Sequence, residues 1–341
     1  MGEGVAHVMA GGTVHVAAGV YTESITLDKD GLTLQGEGNG SRPVLDGGGT
    51  AVNVILIAAD YVTVDGFEVR YGTGDLIRQS DAYTGTVVSN NVVHGSSGDE
   101  AIQLKYCVAC RIENNTVYDT SGDGISLAYA QDGIIGYNDI STSRSPDGAI
   151  YVYNSQALTI TGNTIHDCTA SNGIKFYRFL PTGTSYITGN VIISNTFSGQ
   201  KYLQDGNAIL LYKPFDQPNM DARLLVQGNV IAHNSGQGLD AGSTGHGIYW
   251  HQAEVTGAPI AVEDNHIIGN GGHGFYLDVD STLTGTVSAT FSGNIVCGNG
   301  GDGLRLSAPS ALIVAQPVHG NTFCGNGGYG LNNLCLLYTS D

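Results

Sequence analysis

The sequence predicts an all-β chain, a single-stranded right-handed parallel β-helix solenoid of about eleven coils with three short strands per coil. Three observations carry this. An Asn followed by any residue and then an aliphatic one recurs at Asn91, Asn115, Asn138, Asn163, Asn190, Asn229, Asn265, Asn294 and Asn321. Further along most repeats comes a small or polar residue, a Gly or Ala, then alternating aliphatics, as in EAIQL, DGISL, NGIKF, HGIYW and DGLRL. A third apolar stretch precedes each Asn, as in ALTITGN and ATFSGN.

Alternation within each stretch turns one face of a strand inward. Gly and Asn at the corners supply left-handed backbone at low cost. Equivalent residues of successive coils then stack at the inter-strand spacing of about 4.8 Å. The recurring Asn is expected to form an internal amide ladder between coils. No stretch of useful length carries a 3.6-residue apolar period, so helices are not expected. The opening GGTVHVAAGVYTESITLDKDGLTLQGEG, then PVLDGG and YVTVDGFEV, reads as two less regular coils. Residues 1–334 are expected to form one solenoid domain whose N-terminal cap is truncated. The closing CLLYTSD, residues 335–341, breaks the repeat and resembles translated read-through of a sequencing-library adapter, so a non-native tail is expected there.

The chain has 31 acidic against 13 basic side chains, a net charge of −18. That balance disfavours nucleic acid and anionic membranes as partners. No apolar run is long enough for membrane insertion. The N-terminal residues lack the basic and apolar regions of a signal peptide. A secreted, cell-surface or periplasmic protein, acting as a monomer on a polysaccharide or oligosaccharide, is the expectation.

Stacking lets outward residues be aligned along the strand that follows each Gly/Ala corner. One row reads Gln103, Ser126, Tyr151, Lys175, Leu210, Tyr249, Tyr276, Arg305. The next reads Lys105, Ala128, Tyr153, Tyr177, Tyr212, His251, Asp278, Ser307. Trp250 should point inward beneath them. Tyr is a good strand former, but a Tyr-rich open face also stacks sugar rings, because each ring offers an apolar plane and a polar tip. The longest repeats lie between Asn190 and Asn265, and their extra residues, GQKYLQDGN, YKPFDQPNMDA and GLDAGSTGHG, should wall this face. Candidate catalytic residues are therefore Lys175, Tyr177, Tyr212 and His251. Candidate substrate-binding residues are Tyr151, Tyr153, Arg178, Lys213, Tyr249, Tyr276 and Asp278.

The corner before this strand carries Glu100, Asp123, Asp147, Asn172, Asn207, His246, His273 and Asp302. Asp123 and Asp147 on adjacent coils would stand about 5 Å apart, the separation of a retaining glycosidase, although Asp before Gly is also ordinary turn chemistry. Stacked acids offer oxygen ligands to Ca²⁺, yet no calcium-loop motif supports it and no other cofactor is implied. His246 and His273 lack a third ligand at zinc spacing and read as turn residues. Cys107 and Cys110 form a CVAC that does not open a helix, a poor redox signal. Cys297 and Cys324 sit at one position of neighbouring coils, either as a disulfide or as small stacked core residues. Cys168 has no evident mate.

From Gly11 to Leu331 these repeats resemble the pectate-lyase-like superfamily, including NosD-type repeat proteins. The resemblance implies a right-handed β-helix. Its members include polysaccharide lyases, uronan epimerases, glycoside hydrolases and non-catalytic surface proteins. GHG stands at 245–247 and 272–274, as in polygalacturonases, but the paired-Asp segment and the Arg-x-Lys of those enzymes are absent, so no residue role is carried over. The leading expectation is β-elimination on a uronate-containing glycan, with Lys175 and Arg178 or Ca²⁺ neutralising charge. The alternatives are hydrolysis by paired carboxylates, and a glycan-binding or spacer module without activity.

Overall fold

The computed structural model describes residues 1–37, 41–179, 182–197, 204–212, 221–236, 245–252, 260–280, 286–308 and 312–333. The described residues form three parallel sheets of twelve strands each. Consecutive strands of this set belong to different sheets, and, leaving out the short strands Thr196–Phe197 and Ser235–Gly236, each pairs with the strand three places on, so three strands make one coil. The expected solenoid of about eleven coils is borne out. One further pairing joins Thr196–Phe197 to Ser235–Gly236. Gly2–His7 is the one helix among the described residues, and it tucks Val5 into the first coil. No described helix is long and apolar enough to cross a membrane.

The alternation read from the sequence becomes columns of like residues. Along the third sheet the inward column runs Leu104, Leu127, Val152, Phe176, Leu211, Trp250, Leu277, Leu306. Trp250 is thus inward, as expected. All of these are buried, and each contributes about 1.5–3 kcal/mol of apolar burial against the entropy of ordering it.

The Asn column is the expected amide ladder. Each Nδ2 donates to Oδ1 of the Asn one coil on, from Asn91 to Asn115 at 3.1 Å through Asn294 to Asn321 at 2.9 Å. Its second proton goes to a carbonyl of the first sheet, as from Asn163 to Ile135 at 2.9 Å. The sequence reading missed a second ladder of the same kind, Asn195–Asn234–Asn270–Asn299–Asn326. Cys168 holds the corresponding corner one coil earlier, its backbone N–H donating to Asn195 Oδ1 at 2.9 Å. Cys168 is free, and burial pushes its thiol up to about 12.

Several corners use an aromatic residue where Gly or Asn is usual. Tyr61, Tyr71 and Tyr137 have φ of 56°. Their rings lie over Gly85, Gly95 and Gly162 of the next coil, where a Cβ would stand 2.5, 2.6 and 2.6 Å from ring carbon. Cys107–Cys110 and Cys297–Cys324 are disulfide-bonded. Cys297 is half-buried and Cys324 exposed, so the small-core alternative for this pair does not hold.

Candidate active site

The third sheet presents its outward rows in the register read from the sequence. Gln103, Ser126, Tyr151, Lys175, Leu210, Tyr249, Tyr276 and Arg305 pair in succession. The second row, from Lys105 through Ala128, Tyr153, Tyr177, Tyr212, His251 and Asp278 to Ser307, does the same. The rings of that second row stack on one another. Tyr153 lies on Tyr177 at 5.3 Å, Tyr177 on Tyr212 at 5.1 Å, and Tyr212 on His251 at 5.3 Å, all within 14° of parallel. Tyr177 and Tyr212 therefore have a ring against both faces. They cannot serve as open planes for a sugar; in-register stacking at the strand spacing uses up the faces and leaves edges and hydroxyls.

The corner acids depart from the expected alignment at one place. Ala149, not Gly148, lies opposite Gly124 and Gly173, because Ile125 bonds Ala149 and Ala149 bonds Asn172 along the ladder. The extra residue in DGAI sets Asp147 one position back from the column that holds Glu100, Asp123 and Asn172. From there Asp147 meets Lys175, whose Nζ lies 3.1 Å from Asp147 Oδ1 and 2.9 Å from Asp205 Oδ1. Lys175 is only 1% exposed, so this candidate catalytic cation is an interior ion pair. Asn172 Nδ2 also donates to Asp205 Oδ1, at 2.8 Å.

Asp123 stands beside this cluster. Its Oδ1 accepts a short hydrogen bond from Ser145 Oγ and a longer one from Gly148 N. Burial, and then the charge of Asp147, push its carboxyl up to about 7 despite those donors and Lys175. One coil earlier, burial and the neighbouring Asp75, Asp123 and Asp99 push Glu100 up to about 10. Oxygens of Asp75, Asp99 and Glu100 lie within 4.8 Å of one another, the nearest the described acids come to the Ca²⁺ ligand set considered above. Asp75 is already engaged by Arg78 Nη1 at 2.8 Å and by the Glu100 backbone N–H at 3.1 Å.

Next to Glu100 the outward rows shrink to Ser126 and Ala128. The resulting depression is lined by Gln103, Lys105 and Tyr106 of the coil before, Tyr129 of the same coil, and Tyr151 and Tyr153 of the coil after. Tyr106 and Tyr129 stack at 4.9 Å.

The remaining candidates gather farther along. Asp278 Oδ2 accepts from Tyr249 Oη at 2.9 Å and lies 3.1 Å from His251 Nδ1. Tyr249 stacks on Tyr276 at 5.1 Å but is buried rather than open. His246 and His273 are turn residues, as read: His246 Nδ1 accepts the His273 backbone N–H at 2.8 Å, and His273 Nδ1 accepts that of Asp302 at 2.7 Å. Burial holds His273 below its ordinary value. Arg178 takes a φ of 61° with its guanidinium 5.3 Å from the Tyr177 ring centre. Lys213, the tail 335–341 and most of the three long insertions lie outside the described residues.

Sequence reasoning did not single out Glu100, Gln103, Tyr106, Tyr129 or Asp205. The signal for the first four was present: Ser126 and Ala128 are the smallest neighbouring pair in two otherwise bulky rows, and their flanks could have been read as walls. Asp205 carried no such signal, since it lies inside an irregular insertion.

The family model described as right handed beta helix region matches residues 53–221. No curated protein matches the chain. Among solved structures it is similar to the catalytic unit of a thermostable GH87 alpha-1,3-glucanase from Streptomyces thermodiastaticus, with 17% identity and a TM-score of 0.55 over 96% of this chain and 65% of that one. It thus spans just under two thirds of that unit. A DFA-IIIase from Arthrobacter chlorophenolicus A6 without its lid shows 15% identity and a TM-score of 0.47, over 92% of this chain and 83% of that one. XylC in complex with xylose shows 11% and 0.44, over 81% and 55%. Identities this low speak for the fold. With three stacked parallel sheets and internal Asn ladders, the chain folds as a parallel β-helix, and residues 53–221 of it match the right-handed β-helix family model.

Proposed function

We propose that the protein is a carbohydrate-active enzyme that hydrolyses a glycosidic bond, with Asp123 as proton donor and Asp147 as its carboxylate partner. One observation carries this reading: two acids on adjacent coils stand in opposed environments beside a tyrosine-lined depression. Asp123 is buried and holds its proton to about pH 7, while Asp147 is ion-paired with Lys175. Acids whose surroundings differ in this way divide into donor and base or nucleophile. Asp123 would protonate the departing glycosidic oxygen. Asp147 would attack the anomeric carbon or activate water. Lys175, locked between Asp147 and Asp205, would fix Asp147 in place.

β-Elimination is the weaker account, because it needs a cation for the substrate carboxylate and Lys175 is engaged by two acids. The glucanase of similar fold makes α-1,3-glucan the first substrate to try. Two disulfides suit an oxidising, extracytoplasmic setting.

The test is a panel of neutral glycans and uronans, followed by reducing ends and by ultraviolet absorbance of unsaturated products. Reducing ends without that absorbance are expected, and Asp123→Asn should lower turnover about 10²–10⁴-fold while the fold is retained. Unsaturated products, or an active Asp123→Asn variant, would refute the assignment. Binding without turnover by the unaltered protein would favour the non-catalytic module.

A further inference from the structure

We propose that the depression over Ser126 and Ala128 is a subsite for one ring of a neutral sugar, in which Gln103 accepts a sugar hydroxyl and Tyr106 and Tyr129 form the outer rim. This deepens the hydrolase reading and takes its class of ligand from it.

Shape comes first. The strands Ile102–Lys105 and Ile150–Ser155 flank the small coil on either side, so they stand two inter-strand spacings apart, roughly 9.6 Å. A flat ring between two walls needs about twice a 3.5–4.0 Å contact distance, which is 7–8 Å. The gap therefore admits one ring and no more.

Polarity comes next. Gln103 is 4% exposed, it lines the depression, and its Oε1 has no hydrogen-bond partner among the described residues. A buried acceptor left in this state costs about 1–3 kcal/mol. An amide oxygen can only accept, so what completes it must bring an O–H or N–H. Glu100 Oε2 is likewise buried and unpartnered at the same rim. Sugar hydroxyls meet both needs. A uronate carboxylate brings no donor of its own and would face Asp75 and Asp99 nearby. Lys105 lines the depression on the opposite balance, which is why the charge preference is put to the test below.

Backbone strain supplies the third observation. Tyr106 and Tyr129 sit at φ of 56° and 55°, a left-handed conformation that costs a bulky residue about 1–2 kcal/mol. Tyr61, Tyr71 and Tyr137 use the same conformation to cover a glycine of the next coil. Tyr106 and Tyr129 instead stack on each other at the depression, with Tyr129 also edge-on to Tyr153 at 5.3 Å. Strain held in outward rings beside a slot is characteristic of ligand clamps.

The experiment titrates the intact chain carrying Asp123→Asn, which blocks turnover, with α-1,3-gluco-, xylo- and fructo-oligosaccharides and with oligogalacturonate, by calorimetry. At least one neutral oligosaccharide should bind, with oligogalacturonate weaker. Adding Gln103→Leu should weaken it about 10-fold, the loss of one hydrogen bond. Ala128→Phe, which fills the slot from the surface, should abolish binding and guards against a Gln103 variant that folds poorly. Unchanged affinity in both variants, tighter binding of oligogalacturonate, or no binding by any neutral oligosaccharide would overturn the subsite. The two readings fail separately. Hydrolysis by the unaltered protein with KM unmoved in Gln103→Leu would sink the subsite alone, whereas slot-dependent binding with no turnover on any glycan would sink the hydrolase alone.

Discussion

Replacing Asp123 by Asn should make the protein more stable in mild alkali while it loses activity. In the fold, burial and the charge of Asp147 raise this carboxyl from 3.8 to about 7. A group whose folded pKa is raised lends stability that is fully present below its unfolded value. That stability drains away as pH climbs toward the folded one. The window is therefore pH 4 to 7, and three pH units at about 1.4 kcal/mol each give at most about 4 kcal/mol. Asn carries no proton to lose, and its carbonyl can keep the bonds from Ser145 Oγ and Gly148 N. Urea unfolding of both proteins between pH 4.5 and 8.5 should show the gap moving in favour of the variant by a few kcal/mol as pH rises. Subtraction removes the other titrating acids common to both. Parallel stability curves would refute the claim that Asp123 is held protonated, and with it the basis for naming it the donor. Stability gained as turnover is lost is what a site kept under electrostatic tension should show.

Two further outcomes test the scaffold. Gly162→Ala forces a Cβ to 2.6 Å from the Tyr137 ring at a φ of 63°; thermal melting should show a loss of about 1–3 kcal/mol, with the steric part recovered when Tyr137→Ala is added. Asn190→Ala strips the ladder acceptor from both donors of Asn163 and the donor from Ile160 O; about 3–5 kcal/mol should go, against a smaller loss for Asn321→Ala at the last rung.

Most of the fold was legible because a solenoid repeats its own evidence: nine Asn corners and eight aliphatic corners fix register by simple stacking, and the outward rows came out residue for residue. The site was legible only in part. Asp147 looked like one more member of its column, since a single extra residue in DGAI is silent as to which way the chain bulges. Lys175 looked like a surface cation, because Asp205, the partner that helps bury it, lies thirty residues on within an insertion that has no repeat to align it. The Tyr row was read as a set of open planes. Composition says which rings share a face of the sheet, but only the spacing and side-chain torsions say that Tyr177 is sandwiched. Gln103 was invisible as a binding residue, because an unmet hydrogen bond is a property of its surroundings and not of its letter.

The amide ladders have a direction: from Asn91 to Asn294 each Asn sends one side-chain N–H forward to the Asn Oδ1 of the following coil and the other back to a carbonyl of the preceding one, and Asn321, the last described rung, donates only to Phe291 and His319. A one-way file of dipoles behaves like a zipper, in which each rung is held on both sides except at the two ends. Unwinding then begins at the rims and advances coil by coil. The strands bearing Gln103, Asp123, Asp147 and Lys175 or directly following them are the fourth to seventh of twelve. Three of the described coils lie before these strands and five after, so a front entering at either end of that stretch must consume three or five coils before it reaches the first of them. Coils on both sides of it thus give the chemistry a rigidity that no single contact within it provides.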